Sequence, residues 1–160
     1  VLLVSAVRAT RQAVIPLWAD HLALEASAAA LIFGLANGID MLVFYPADNS
    51  WVCTAQLRSY TGDIAAFSEV GARLLALSPQ SVAAHEAFAA ANGGFAFPLL
   101  ADLGKEVGRS YGVLGPVGFY RRSVFVLDGD GVVRWLHRAT AGLTFRPVDE
   151  VVAAVRALDA

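Results

Sequence analysis

A single cysteine, Cys53, occurs in the 160 residues. That excludes an intrachain disulfide, a CxxC redox pair and a cysteine-cluster metal site within them. Charge is scarce as well: 16% of residues are charged, against a usual ~25%. The formal net charge is only −2, so binding nucleic acid by neutralising phosphates is not expected. No apolar run is long enough for a clean membrane span. The uncharged stretch 26–39 falls short of the ~20 residues required, and Asp40 interrupts its extension. A secretory signal is also missing, because no basic start leads into a short apolar core and a small-residue cleavage site. The three histidines, His21, His85 and His137, are far apart and lack partners at ligand spacing. Surface or packing roles are expected for them, with no metal and no other cofactor. Tandem repeats, low-complexity linkers and a strand–GxxxxGK[ST]–helix phosphate loop are absent. The sequence opens on Val1 rather than methionine, which suggests a fragment or a processed product.

What is present is apolar material, 57% of the residues. This is enough for a core and argues against disorder. The length suits one domain. Met41–Tyr45 (MLVFY), stopped by Pro46, reads as a buried central strand. The turn residues 46–50 (PADNS) follow, with Ser50 or Asn49 placed to cap a helix that starts near Cys53 and runs to about Phe67. Leu57, Tyr60, Ile64 and Phe67 share one face of it. Arg73–Ser78 reads as a second buried strand, and Ser81–Asn92 as a helix stopped by Gly93 and Gly94. Residues 95–100 are extended around Pro98, and 105–111 form a short helix. A hairpin pairs Arg122–Asp128 with Val132–His137 across Gly129–Gly131. The amphipathic helix 146–158 ends the chain, with Val148, Val151, Val152, Val155 and Leu158 on one side. The order βαβα, hairpin, α predicts two parallel strands joined by a right-handed crossover, antiparallel strands beyond them, and a covering helix. That is an α/β, thioredoxin-like arrangement of three layers, α/β/α, around a mixed sheet.

Cys53 falls just past the first strand, in the first turn of the following helix. Open α/β sheets place their sites at such strand ends, and a helix start offers unpaired N–H groups and a positive dipole to an anion such as a thiolate. A free thiol is about 3% ionised at pH 7, so full ionisation gains only about thirtyfold in reactivity. Further acceleration has to come from groups that stabilise charge in the transition state. Pro46, Ser50 and Cys53 form P-x-x-x-S-x-x-C. The ring of Pro46 can shield the sulfur, and the Ser50 hydroxyl can donate to sulfur or to a bound oxygen. The guanidinium of Arg122, at the head of the later RSVFVLD strand, could reach the same sulfur from an adjacent strand.

With these residues in view, FYPADNSWVCTAQL, FPLLAD, YGV and RRSVFVLDGDGVVRW resemble the peroxiredoxins, and particularly their bacterioferritin-comigratory and one-cysteine branches. The resemblance covers about Met41–Leu158. It implies that Cys53 is the peroxidatic cysteine and that Pro46, Ser50 and Arg122 are its active-site partners. Arg122 is preferred to Arg121 because it stands three residues before Phe125, in the family's R-x-x-F pattern. It also implies a thiol-dependent peroxidase acting on hydrogen peroxide or alkyl hydroperoxides through a sulfenic acid. The family usually carries Glu three residues after the cysteine. Gln56 stands there and can orient Arg122 only without charge. Where a resolving cysteine often follows five residues on, the residue is Arg58. Resolution is therefore expected from an external thiol, thioredoxin-like or of low molecular weight, or from Cys53 of a neighbouring chain in a homodimer.

The family's usual opening strands are missing. Residues 1–46 (VRATRQAVIPLWADHL to FGLANGIDMLVFYPA) resemble instead a piece of a major facilitator transporter. The expected division is thus an atypical apolar, Ala-rich helical segment over 1–40, packed, self-associated or in contact with a membrane, and a thioredoxin-like domain over 41–160. The expected location is cytoplasmic. Two competing functions are a non-catalytic or membrane-associated chimeric protein that keeps the domain only for folding, and a thiol transferase. The missing second cysteine argues against the transferase.

Overall fold

The computed structural model describes residues 38–139 and 144–158. Most of the 1–40 segment and of the transporter-like stretch lies outside these residues. The described elements run in the order β1 (Ile39–Phe44), α1 (Trp51–Gly62), α2 (Ile64–Glu69), β2 (Ala72–Ser78), α3 (Val82–Ala91), β3 (Leu99–Ala101), α4 (Glu106–Ser110), β4 (Ser123–Leu127), β5 (Val133–Arg138) and α5 (Val148–Arg156). They form one mixed sheet of order β3-β2-β1-β4-β5. β1 is parallel to β2 and antiparallel to β4. β2 and β3 are parallel, while β4 and β5 form the expected hairpin.

β1 is central and apolar on both faces, as its sequence requires. Met41, Val43 and Tyr45 face a core completed by Leu57 and Tyr60 of α1, Phe67 of α2, Phe88 of α3 and Val151, Val152 and Val155 of α5. Leu42 and Phe44 face the opposite side, with Leu77, Leu100, Val113, Tyr120, Phe125 and Leu127. There the Phe44 ring lies 5.3–5.8 Å from the rings of Tyr111, Tyr120 and Phe125, contacts that each contribute about 0.5–1.5 kcal/mol beyond burial. Helices α1, α2, α3 and α5 thus pack on the first face, and the segment around Tyr111, Val113 and Tyr120, which follows the short α4, packs on the second.

Three of the differences from the expected boundaries have a local reason. β1 begins at Ile39 rather than Met41, because buried Asp40 is paired across the sheet with Arg73, 2.9 Å away. The helix expected from Cys53 to Phe67 is two helices that break at Asp63, after Gly62. Glycine and aspartate are weak helix formers, yet Tyr60 and Phe67 still meet edge to face at 5.6 Å. The extended segment 95–100 yields only a three-residue strand. Pro98 has no N–H to offer a ladder, although its carbonyl accepts from the Ala76 N–H at 3.1 Å.

Candidate active site

The site is built where β1 ends. The chain leaves β1 at Phe44, crosses the 45–50 loop with Asn49 in the left-handed region, at φ 60°, and enters α1 at Trp51. Asparagine tolerates that conformation because its short polar side chain can bond locally. Ser50 occupies the N-cap position, where its carbonyl accepts from the Thr54 N–H at 2.8 Å and the Thr54 hydroxyl at 3.0 Å. Its own side chain makes no capping hydrogen bond, contrary to the expected cap role. Cys53 is the third residue of α1, among the N–H groups that have no partner inside the helix. Its side chain is fully buried, in the core between the sheet and α1.

Arg122 reaches this sulfur from the other side of β1. Ser123 pairs with Phe44 in the antiparallel ladder, so Arg122 enters the sheet beside the end of β1. Its backbone carbonyl is held by the Ala139 N–H at 2.8 Å. The side chain is only 2% exposed. Its Nη2 donates to Cys53 Sγ at 3.3 Å, and its Nη1 donates to Gln56 Oε1. The alternative, Arg121, points to solvent. Gln56 lies one turn after Cys53 on α1, so the two side chains share a face. Its other amide atom, Nε2, is buried without a hydrogen-bond partner among the described residues.

Cys53, Gln56 and Arg122 are thus joined by direct contacts. Pro46 and Ser50 lie on the half-buried loop that leads into α1. Nearby, burial pushes the Tyr60 hydroxyl up to about 12, although the Arg122 charge opposes this. The Tyr60 hydroxyl donates to the Arg146 carbonyl at 2.9 Å, tying α1 to the segment before α5. A buried guanidinium at a helix start gives fixed positive charge to an anion formed beside it. Among the described residues no three His, Cys, Asp or Glu side chains group closely enough to hold a metal ion.

The sequence pattern missed a second polar cluster in the same loop. Asp48, read only as a turn residue, has its Oδ2 2.9 Å from Nδ1 of His85 on α3. The Tyr45 hydroxyl donates to Asp48 Oδ1 at 2.8 Å. His85 was expected at the surface or in simple packing, but it is buried and polar-bonded. Its place three residues before Phe88 on the inner face of α3 was a legible signal of burial. Nothing in the spacing pointed to Asp48, which lies on a different element. Of the aromatic residues, Phe44, Phe95 and Phe97 belong to the core, whereas Trp51 and Phe119 are 76% and 67% exposed.

Residues 33–136, more than half of the chain, match the sequence model of the AhpC/TSA family. The match starts ahead of Met41, so the stretch from 33 to 46 is covered by this family rather than by the transporter resemblance. The chain is 30% identical over 125 residues to the 2-cysteine peroxiredoxin, chloroplastic, of Chattonella marina var. antiqua, an alignment covering 74% of this chain and 63% of that one. It spans less than two thirds of the length of the curated relatives it matches. Among solved structures it resembles Enterococcus faecalis AhpC, with a TM-score of 0.75 and 26% identity over 80% of this chain and 78% of that one. It also resembles the bacterioferritin comigratory protein of Xanthomonas campestris, with a TM-score of 0.70 and 29% identity over 81% and 85%. That structure's description concerns alkyl peroxide reduction. No helix among the described residues is long and apolar enough to cross a membrane.

Proposed function

The chain belongs to the AhpC/TSA family, and from that premise we propose that it is a thiol-dependent peroxidase in which Cys53 is the reacting group. The observation that carries this is the 3.3 Å contact between the Arg122 guanidinium and the sulfur at the start of α1. The Cys53 thiolate attacks one peroxide oxygen, and the O–O bond breaks. The second oxygen leaves as hydroxide or alkoxide and takes up a proton to become water or an alcohol. Sulfur is oxidised by two electrons to the sulfenic acid, and the peroxide is reduced by two.

Arg122 offers fixed positive charge to the thiolate before the step and to the departing oxygen during it. It is preorganised by Gln56, so it does not have to reorient. Pro46 shields the sulfur from water, and the Ser50 hydroxyl is the donor to the bound peroxide. No second thiol exists within these 160 residues. The sulfenic acid is therefore resolved by a thiol from outside them. One thiol condenses with it to a mixed disulfide and water, and a second releases Cys53 as the thiol and leaves as a disulfide. Thioredoxin-like proteins and low-molecular-weight thiols are the candidate reductants, and hydrogen peroxide or alkyl hydroperoxides the substrates.

The test is turnover of hydrogen peroxide with dithiothreitol as reductant, in the parent and in Cys53→Ser. The parent is expected to consume peroxide and the variant to do so no faster than buffer. Equal consumption by both proteins would remove Cys53, and the proposal with it.

A further inference from the structure

We propose that His85 and Asp48 are a positioning pair for the loop that presents Pro46 and Ser50 to Cys53, an inference that rests on the peroxidase reading above. Both side chains are buried, at 3% and 5% exposure, in an ion-pair geometry of 2.9 Å. Their contacts join three parts of the fold. Asp48 lies between Pro46 and Ser50 and also accepts from the Tyr45 hydroxyl at the end of β1. His85 belongs to α3, and its Nε2 lies 3.2 Å from the Leu100 carbonyl of β3. The Ser78 hydroxyl, at the end of β2, stands 3.5 Å from the same nitrogen. Both ring nitrogens of His85 therefore face acceptors, and both donate when the ring carries two protons.

Stability alone does not account for such a cluster. A buried pair of charges gives little over well-packed apolar side chains, because desolvation offsets the attraction. What the cluster supplies is direction. A carboxylate bonded through both oxygens has one orientation, and it sits mid-way along a loop with no regular hydrogen-bond ladder of its own. With that carboxylate fixed, Pro46 and Ser50 are fixed on either side of it. Displacing reacting partners by about 1 Å can cost about 100-fold in rate.

The pair also gives the buried carboxylate a partner. An unpaired carboxylate buried in this loop would oppose a thiolate at Cys53. The Tyr45 hydroxyl senses both groups: burial raises its pKa far above the ordinary range, and the charges of Asp48 and Cys53 add in the same direction.

The experiment compares the parent with His85→Phe, Asp48→Asn and His85→Asn as full chains. Asparagine keeps a donor near the Nδ1 position. Three quantities are read: the second-order rate of Cys53 with hydrogen peroxide, its rate of alkylation by iodoacetamide, and the thermal melt. His85→Phe and Asp48→Asn are expected to slow the peroxide reaction by about 10- to 100-fold. Alkylation, which does not use the aligned loop, is expected to hold or rise, and His85→Asn to recover most of the lost peroxide rate. If His85→Phe shows no cooperative melt, Asp48→Asn and His85→Asn decide. Peroxide and alkylation rates falling in parallel, or folded variants as fast as a fast parent, would overturn the positioning role and leave the peroxidase reading intact. A parent no faster than free cysteine would overturn both.

Discussion

Replacing Arg122 with methionine removes the charge at the sulfur and keeps most of the side-chain volume. The nitrogen nearest the sulfur is 3.3 Å from it. Since the charge is spread over the guanidinium, the charge centres are about 4 Å apart, where two unit charges attract by about 4 kcal/mol at an effective permittivity of about 20. Desolvation offsets part of this, and hydrogen bonds to charged groups contribute about 1.5–3 kcal/mol net. A loss of about 2–4 kcal/mol corresponds to about 30- to 1000-fold in the rate of Cys53 with hydrogen peroxide. Stopped-flow fluorescence can follow that rate through Trp51, two residues from the sulfur. Arg122→Lys keeps the charge but cannot fork between Cys53 and Gln56, so a loss of about tenfold is expected.

Stability and activity should separate in these variants. Arg122→Met leaves the buried Gln56 Oε1 without that donor, at a cost of about 1–3 kcal/mol. Adding Gln56→Leu should recover most of the melting temperature and none of the peroxide rate. An Arg122→Met protein that folds and reacts at the parent's rate would refute the electrostatic role assigned to Arg122.

Gln56→Glu removes the unpartnered Nε2 and gives Arg122 a charged partner, so it should stabilise the chain by about 1–2 kcal/mol near pH 7. Arg122 would hold the new carboxyl below its unfolded value, so the gain should be present above about pH 4.3 and fade as pH falls through the folded value. Urea titrations at several pH values check this, and an unchanged midpoint near pH 7 contradicts it. Burial holds the Asp40 carboxyl up at about 6, with the Arg73 charge opposing. A carboxyl raised on folding contributes fully below its unfolded value near 3.8, and the contribution is lost as pH rises through about 6. Asp40→Asn should therefore flatten the decline in stability between about pH 3.8 and 6, and a decline of the same size in the variant counts against it. Gly108 has no room for a side chain, since an added Cβ would lie 2.6 Å from the Tyr120 hydroxyl. That hydroxyl is bonded to Asp102. Gly108→Ala should cost about 1–3 kcal/mol by thermal melt, and a loss near zero would mean that α4 shifts freely.

The elements that the sequence announced are those whose stability is local or periodic. The apolar run of β1, the Ser81 cap and the Gly129–Gly131 hairpin each carry their own signal. The Ser81 side chain does accept from the Ala84 N–H at 3.2 Å. Cys53 and Arg122 were also legible, because a thiol at a helix start calls for a cation and a strand-borne arginine was available. Their contact crosses 69 residues, and strand order, not spacing, creates it. Two features escaped. The break at Asp63 rests on a weak local preference that the shared face of Tyr60 and Phe67 masked. The Asp48–His85 pair joins a turn residue to a helix residue 37 positions away, each unremarkable alone.

The most direct test is a single-turnover measurement of Cys53 with hydrogen peroxide, with the sulfenic acid trapped and its one added oxygen confirmed by mass spectrometry. Ionising a thiol completely accounts for only about thirtyfold over free cysteine at pH 7. Stabilisation of the departing oxygen by Arg122 predicts a rate at least about 1000-fold above free cysteine. A rate within about thirtyfold of it would mean that the guanidinium beside the sulfur does no more than ionise it.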